Sequence, residues 1–168
     1  MELKELVDKT LEMFGARNTQ ELKEKILEIC KSNDEPMFAN FKGLVGDLSV
    51  DWLQKIFQYY EADRKNKKQD YTPKCLAEFC GRLAGESDVV VDMCAGSGAL
   101  TIQKWVLNNN QKFELYEFDE NVIPYLLFNM MLRNIDCSVY HSDVLQDEIF
   151  HGYRIKKGTE FGRLEIIE

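Results

Sequence analysis

The stretch Asp88-Val89-Val90-Val91-Asp92-Met93-Cys94-Ala95-Gly96-Ser97-Gly98-Ala99-Leu100 decides how the rest of the chain is read. Three consecutive valines form a short apolar strand, of the kind expected in the middle of a parallel sheet covered on both faces. The run then gives way to the small residues Ala95, Gly96, Ser97 and Gly98, and a helix-like segment opens at Ala99. Strand, glycine turn and helix make the first half of a nucleotide-binding βαβ unit. Glycines let a ligand approach the backbone closely, and N–H groups at a helix start attract a carboxylate or a phosphate.

Two ligand classes compete for such a turn, and a tight strand–helix connection without a ligand is the plain alternative. A dinucleotide fingerprint, Gly-x-Gly-x-x-Gly, needs a glycine where Thr101 stands. Asp92, at the carboxyl end of the strand and four residues before Gly96, would repel a pyrophosphate and hold an ammonium group. The arrangement Asp92-x-x-x-Gly96-x-Gly98 resembles motif I of the S-adenosylmethionine-dependent methyltransferases. The resemblance implies cofactor contacts from Asp92, Cys94, Ala95, Gly96 and Gly98.

The 168 residues suffice for one good core with a small helical extension. An apolar fraction of 45% and ten phenylalanines indicate an ordered globular chain. No apolar run approaches the roughly 20 residues that span a bilayer, and Met1-Glu2-Leu3-Lys4-Glu5 lacks the apolar centre of a signal peptide. Five cysteines without a Cys-x-x-Cys pair point to reduced thiols in a cytoplasm. Cys75 and Cys80 read as packing residues on two sides of one helix. His141 and His151 have no neighbours at metal-ligand spacing, so no metal site is expected. The net charge of −8 makes the chain a poor stand-alone binder of nucleic acid, which would need a basic patch or a basic partner.

Residues 1 to about 65 read as helical throughout. Leu3, Leu6, Val7, Leu11 and Phe14 recur at helical spacing, with Gly15 as the stop. Asn18 or Thr19 caps a second helix with Leu22, Ile26, Leu27 and Ile29 inside. Asn33-Asp34-Glu35-Pro36 reads as a break, and a segment with Phe38 and Phe41 is interrupted by Gly43 and Gly46. Ser49 is the expected cap of a fourth helix from Val50 to about Ala62, with Trp52, Leu53, Ile56, Phe57 and Tyr60 as its apolar set. The basic window Arg64-Lys65-Asn66-Lys67-Lys68 reads as a solvated linker or, functionally, as a phosphate contact. Thr72 and Pro73 suit the cap and first turn of a further helix that runs to about Ala84.

Tyr71-Thr72-Pro73, behind a Lys/Gln-rich loop and one helix before the valine strand, resembles motif X of the adenine-specific DNA methyltransferases. The closer likeness is to the modification subunits of type I restriction-modification systems and related solitary enzymes, which also carry a helical region ahead of this tripeptide. In that family the loop contacts the methionine part of the cofactor, which implies that role for Tyr71, Thr72 and Pro73.

Phe113 to Tyr116 reads as a second strand, and Glu117 follows Gly98 by 19 residues, close to the ~20-residue spacing at which an acid reaches ribose hydroxyls. Asp119 reads as the cap of the next helix, which runs to about Asn134 with Pro124 in its first turns. Cys137 to His141 reads as a third strand with Asp143 just beyond it. The resemblance implies that Glu117 binds ribose, that Phe118 packs on adenine and that Asp143 accepts from the adenine amino group. Asp92, Glu117 and Asp143 then stand at the ends of three successive strands, where ligands bind in open α/β sheets.

The family's base-handling motif, Asn/Asp-Pro-Pro-Tyr/Phe, has no counterpart. The three prolines are Pro36, Pro73 and Pro124, and Tyr153–Lys156 with Arg163–Ile167 read as a hairpin instead. The catalytic residues are therefore unassigned.

The expected architecture is an α/β, Rossmann-like S-adenosylmethionine-dependent methyltransferase fold with a shortened, five-stranded sheet. A helical region (1–65) precedes the cofactor-binding domain (66–168). The expected function is that of an adenine-specific DNA methyltransferase, or a subunit of one, with S-adenosylmethionine as cofactor. A non-catalytic cofactor-binding or regulatory module, a small-molecule or protein methyltransferase, and a nicotinamide-dependent enzyme are the alternatives. DNA would be reached together with a partner chain, and homo- or hetero-association is expected at the C-terminal edge strand; no membrane partner is expected.

Overall fold

The computed structural model describes residues 2–60 and 72–167 of the chain. Tyr71, the basic window 64–68 and the expected boundary at 65/66 lie outside these residues.

Four helices come first: α1 (Leu3–Phe14), α2 (Thr19–Ser32), α3 (Glu35–Val45) and α4 (Trp52–Tyr60). Gly15, at φ 63°, ends α1 in the left-handed conformation that glycine adopts without a steric penalty. Asn18 caps α2, its side chain accepting from Glu21 N–H at 2.9 Å. The break expected at 33–36 is shorter than the sequence suggests. Asn33 closes α2 and Asp34 caps α3 by accepting from Met37 N–H, so Glu35 and Pro36 already belong to the first turn of α3. Gly43 does not interrupt α3, which ends at Gly46. The cap of α4 is Asp51 rather than Ser49: its Oδ1 accepts from Gln54 N–H at 2.9 Å.

Helix α5 (Lys74–Leu83) leads into the sheet: β1 (Val89–Asp92), α6 (Ala99–Leu107), β2 (Lys112–Glu117), α7 (Ile123–Leu132), β3 (Cys137–Asp143), β4 (Glu148–Lys156) and β5 (Arg163–Ile167). Thr72 does not cap α5. Pro73 takes the cap position with extended ψ, and its carbonyl accepts from Ala77 N–H. Asp119 is not the cap of α7 either; Val122 is, while Asp119 accepts from both nitrogens of Asn121.

Among the described residues five strands lie in the order β1-β2-β3-β4-β5, with β1, β2 and β3 parallel and β4 antiparallel to both β3 and β5. The chain is thus a mixed α/β fold. Contrary to the expectation for the valine strand, β1 is an edge and not the centre of the sheet. The connections through α6 and α7 each add the next strand on the same side, so among the described residues the first strand keeps one neighbour.

One face of the sheet carries the core. Phe113, Leu115, Cys137, Val139 and Ile155 are buried there under α7, which packs on α2, β3 and β4. An aromatic knot ties the N-terminal helices to this layer. The Phe128 ring of α7 meets Phe14 at 5.6 Å, Phe38 at 4.7 Å and Phe41 at 5.3 Å, and Phe38 meets Phe161 at 5.6 Å. The hydrophobic core therefore runs unbroken from α1 to β5.

The other face is uncovered among the described residues. Val89 and Val91 are exposed, and Tyr116 stacks on Tyr140 at 5.0 Å. Parallel strands usually have both faces covered; Leu76, Phe79 and Leu83 of α5 are exposed as well. Cys75 is also exposed and is not a packing residue. At the opposite edge, Asn33 accepts from Leu164 N–H and donates to Leu164 O, so its side chain covers part of the outer edge of β5.

Candidate functional site

The turn after β1 is built to hold its backbone open. Gly96 and Gly98 have φ of 56° and 98°, conformations that other residues adopt at a cost. The turn closes on itself by Gly98 N–H to Ala95 O at 2.9 Å, and β2 grips it by Ala95 N–H to Tyr116 O at 2.9 Å. Glu117, at the end of β2, completes the grip. One carboxylate oxygen accepts from Gly96 N–H at 2.8 Å and the other from Asp119 N–H at 2.7 Å. Each oxygen carries a second lone pair.

These groups border a cavity of about 160 Å³. Of the residues expected in the site, Thr72, Cys94, Ala95, Gly96 and Glu117 line it together. Pro73 lines an adjoining cavity of about 320 Å³ that shares Gln54, Thr72 and Ala99 as walls. Asp92 lies on the far side of Leu100, in a groove toward α5 with Thr101 and Val90. Its carboxylate accepts weakly from Cys94 N–H at 3.3 Å and from Thr101 Oγ1 at 3.5 Å.

Gly98 faces inward. A Cβ there would lie 2.6 Å from Met130 Cε, whereas one at Gly96 would meet nothing within 4 Å. Phe118 is 65% exposed just past Glu117, with its carbonyl 3.2 Å from His141 Nε2. Asp143 lines neither cavity, and its Oδ1 accepts from Leu145 and Gln146 N–H in the β3–β4 turn.

The three acids are stepped rather than level. Asp92 is in register with Leu115, and Glu117 with His141, so each acid lies two residues beyond the one before. At about 3.3 Å per residue that is a step of about 7 Å per strand.

The site is electronegative. Burial, Glu117 and Asp92 all push the Cys94 thiol up, and burial pushes the Asp92 carboxyl up against the weaker pull of its two hydrogen bonds. Such surroundings suit a cationic ligand.

Sequence reasoning missed one wall entirely. Gln54, in the first turn of α4, lines both cavities. Behind it lies a buried polar cluster of Asp51, Ser97, Asn129 and Arg133. Two signals were available. Asp51-x-x-Gln54 has the spacing of a capping box, and Asn129 and Arg133 stand four residues apart in an otherwise apolar helix.

A model of the N-6 DNA methylase family matches residues 45–160 of the chain, a span from the end of α3 to the loop after β4. No curated protein and no solved structure matches it.

Proposed function

The chain belongs to the N-6 DNA methylase family, and from that premise we propose that it binds S-adenosylmethionine as the cofactor half of an adenine-specific DNA methyltransferase with a Rossmann-like fold. The observation that carries this reading is Glu117 at the cavity rim, holding Gly96 with one oxygen and Asp119 with the other. The remaining lone pairs suit the two hydroxyls of a ribose. Asp92, behind the same turn on the far side of Leu100, adds negative charge toward the ammonium of the methionine part, and Thr72 and Pro73 flank that part. Phe118 offers an exposed ring to the adenine; Asp143, which lines neither cavity, is the residue that the family likeness assigns to its amino group.

The donor and acceptor set fits the cofactor: acids for a sulfonium cation and a diol, and an open glycine where the ligand backbone passes. When bound, the cofactor supplies an activated methyl group. The residues of this chain hold and orient it, which is the greater part of catalysis in a transfer governed by positioning.

No Asn/Asp-Pro-Pro-Tyr/Phe segment occurs in residues 1–168, where Pro124 is the last proline. Residues 1–168 therefore carry no counterpart of the segment that accepts the flipped adenine in that family. The net charge of −8 also leaves much of the neutralisation of DNA phosphates to a partner. The same absence favours a second reading, a cofactor-binding module without transfer activity of its own.

Calorimetric titration with S-adenosylmethionine and with NAD tests the ligand: binding of the first alone is expected, and binding of NAD alone would remove both readings. Transfer of labelled methyl groups to unmodified DNA, with and without modification-system partner subunits, separates them.

A further inference from the structure

We propose that Asp51 is a positioning residue of this site: one buried carboxylate at the start of α4 holds the glycine turn through Ser97 and the opposing cavity wall through Gln54. The ligand named in the test rests on the cofactor reading above; the geometry does not.

Asp51 is 6% exposed. Its Oδ2 accepts from Ser97 Oγ at 2.6 Å, and its Oδ1 accepts from Gln54 N–H and from Asn129 Nδ2, each at 2.9 Å. The same Asn129 nitrogen donates to Ser97 O at 2.9 Å, so both the hydroxyl and the carbonyl of Ser97 are fixed. Asn129 extends the network: its Oδ1 accepts from Arg133 Nη1 at 2.9 Å, and Arg133 donates further to Leu48 O and Val50 O, each at 2.8 Å. The buried carboxylate and guanidinium thus face each other through one amide, which bonds to both.

A helix cap alone would need only the bond to Gln54. The second oxygen of Asp51 is spent on the turn instead. Ser97 sits between two glycines in left-handed conformations and is the residue of the Gly96–Gly98 segment with a side chain to grip. Glu117 secures Gly96 from the β2 side, and Asp51 secures Ser97 from the helical side. Without the second anchor, the glycine turn is free to re-form, and the cavity wall it provides loses its preset shape. Buried hydrogen-bonded networks of this kind rigidify the elements they join.

In the full chain, Asp51→Asn and Ser97→Ala are compared with wild type by two measurements. Titration with S-adenosylmethionine is expected to show about ten- to a hundredfold weaker binding in each, the range for losing a hydrogen bond to a charged group. The double variant is expected to bind little worse than Asp51→Asn alone, since the Ser97 bond is among those that this variant already weakens. Amide hydrogen exchange is expected to quicken at Ala95, Gly96 and Gly98, whose N–H groups are all bonded in the turn, and to stay unchanged at β3 amides such as that of Val139.

Wild-type exchange at the turn in a folded Ser97→Ala protein overturns the proposal, as do strictly additive binding losses. If wild type binds no S-adenosylmethionine, the cofactor reading falls and the exchange data alone decide. If Asp51→Asn does not fold by circular dichroism, Ser97→Ala decides both measurements.

Discussion

Glu117 combines two tasks at the scale of one side chain. It fastens Gly96 and Asp119 through backbone N–H groups, and it presents its remaining lone pairs to the cavity. Glu117→Gln leaves one oxygen to serve donors that now have two, and sets an NH₂ against a backbone N–H. The expected outcome is a loss of about 1–3 kcal/mol in stability together with at least about tenfold weaker cofactor binding, read by urea unfolding and calorimetry. Asp92 makes a prediction in pH. Burial holds its carboxyl above the ordinary value of about 4, so the native state binds this proton more tightly than the unfolded chain does. Its contribution to stability is fully present below about pH 4 and is lost as pH rises through the folded-state value. Cofactor affinity runs the other way, because the ammonium needs the charged carboxylate. Titrations from about pH 7 to about pH 4 should therefore show binding weakening on acidification. Asp92→Asn should bind weakly throughout, with a flatter pH profile.

The strand–turn–helix element shows how two similar glycines do different work. Gly96 opens toward the cavity, whereas Gly98 is pressed on Met130 and Leu126 of α7. Gly96→Ala should cost about 1–2 kcal/mol for its left-handed backbone. Gly98→Ala adds overpacking of about 1–3 kcal/mol to the same strain. Urea unfolding should rank the two in that order, with an unchanged slope. The turn itself was legible in the sequence because its conformation is set by the glycines, a short-range effect. So were the ends of α1 and α2, where Gly15 and Asn18 act on their own backbone neighbours. Helix starts near competing cap residues were not. Ser49 and Asp51 are both good caps, and Asp51 takes the role because its carboxylate also meets Ser97, Asn129 and Gln54.

For the molecule as a whole, the sheet is covered on one side only among the described residues. Val89 and Val91 of β1 are exposed, and on α5 Phe79 is 60% and Leu83 74% exposed. Exposed apolar surface of this kind promotes association. Phe79→Lys and Val91→Lys replace side chains that bury little in this chain, so each is expected to change stability by no more than about 0.5 kcal/mol. Together they should reduce aggregation measured by light scattering. Among the described residues, no helix is long and apolar enough to cross a membrane.

By itself the sequence determined the glycine turn, the acids at successive strand ends, the end of α1, the start of α2 and the places of the five strands, because each depends on neighbours within a few positions. The tertiary structure decided the rest. It made the valine strand an edge, turned Asn33 from a chain break into a clamp on β5, and brought Asp51 and Gln54 to the glycine turn. Those outcomes depend on contacts between residues far apart in the chain, such as the 46 positions separating Asp51 from Ser97. No local pattern of hydrophobicity or capping encodes which distant partner a buried carboxylate will meet.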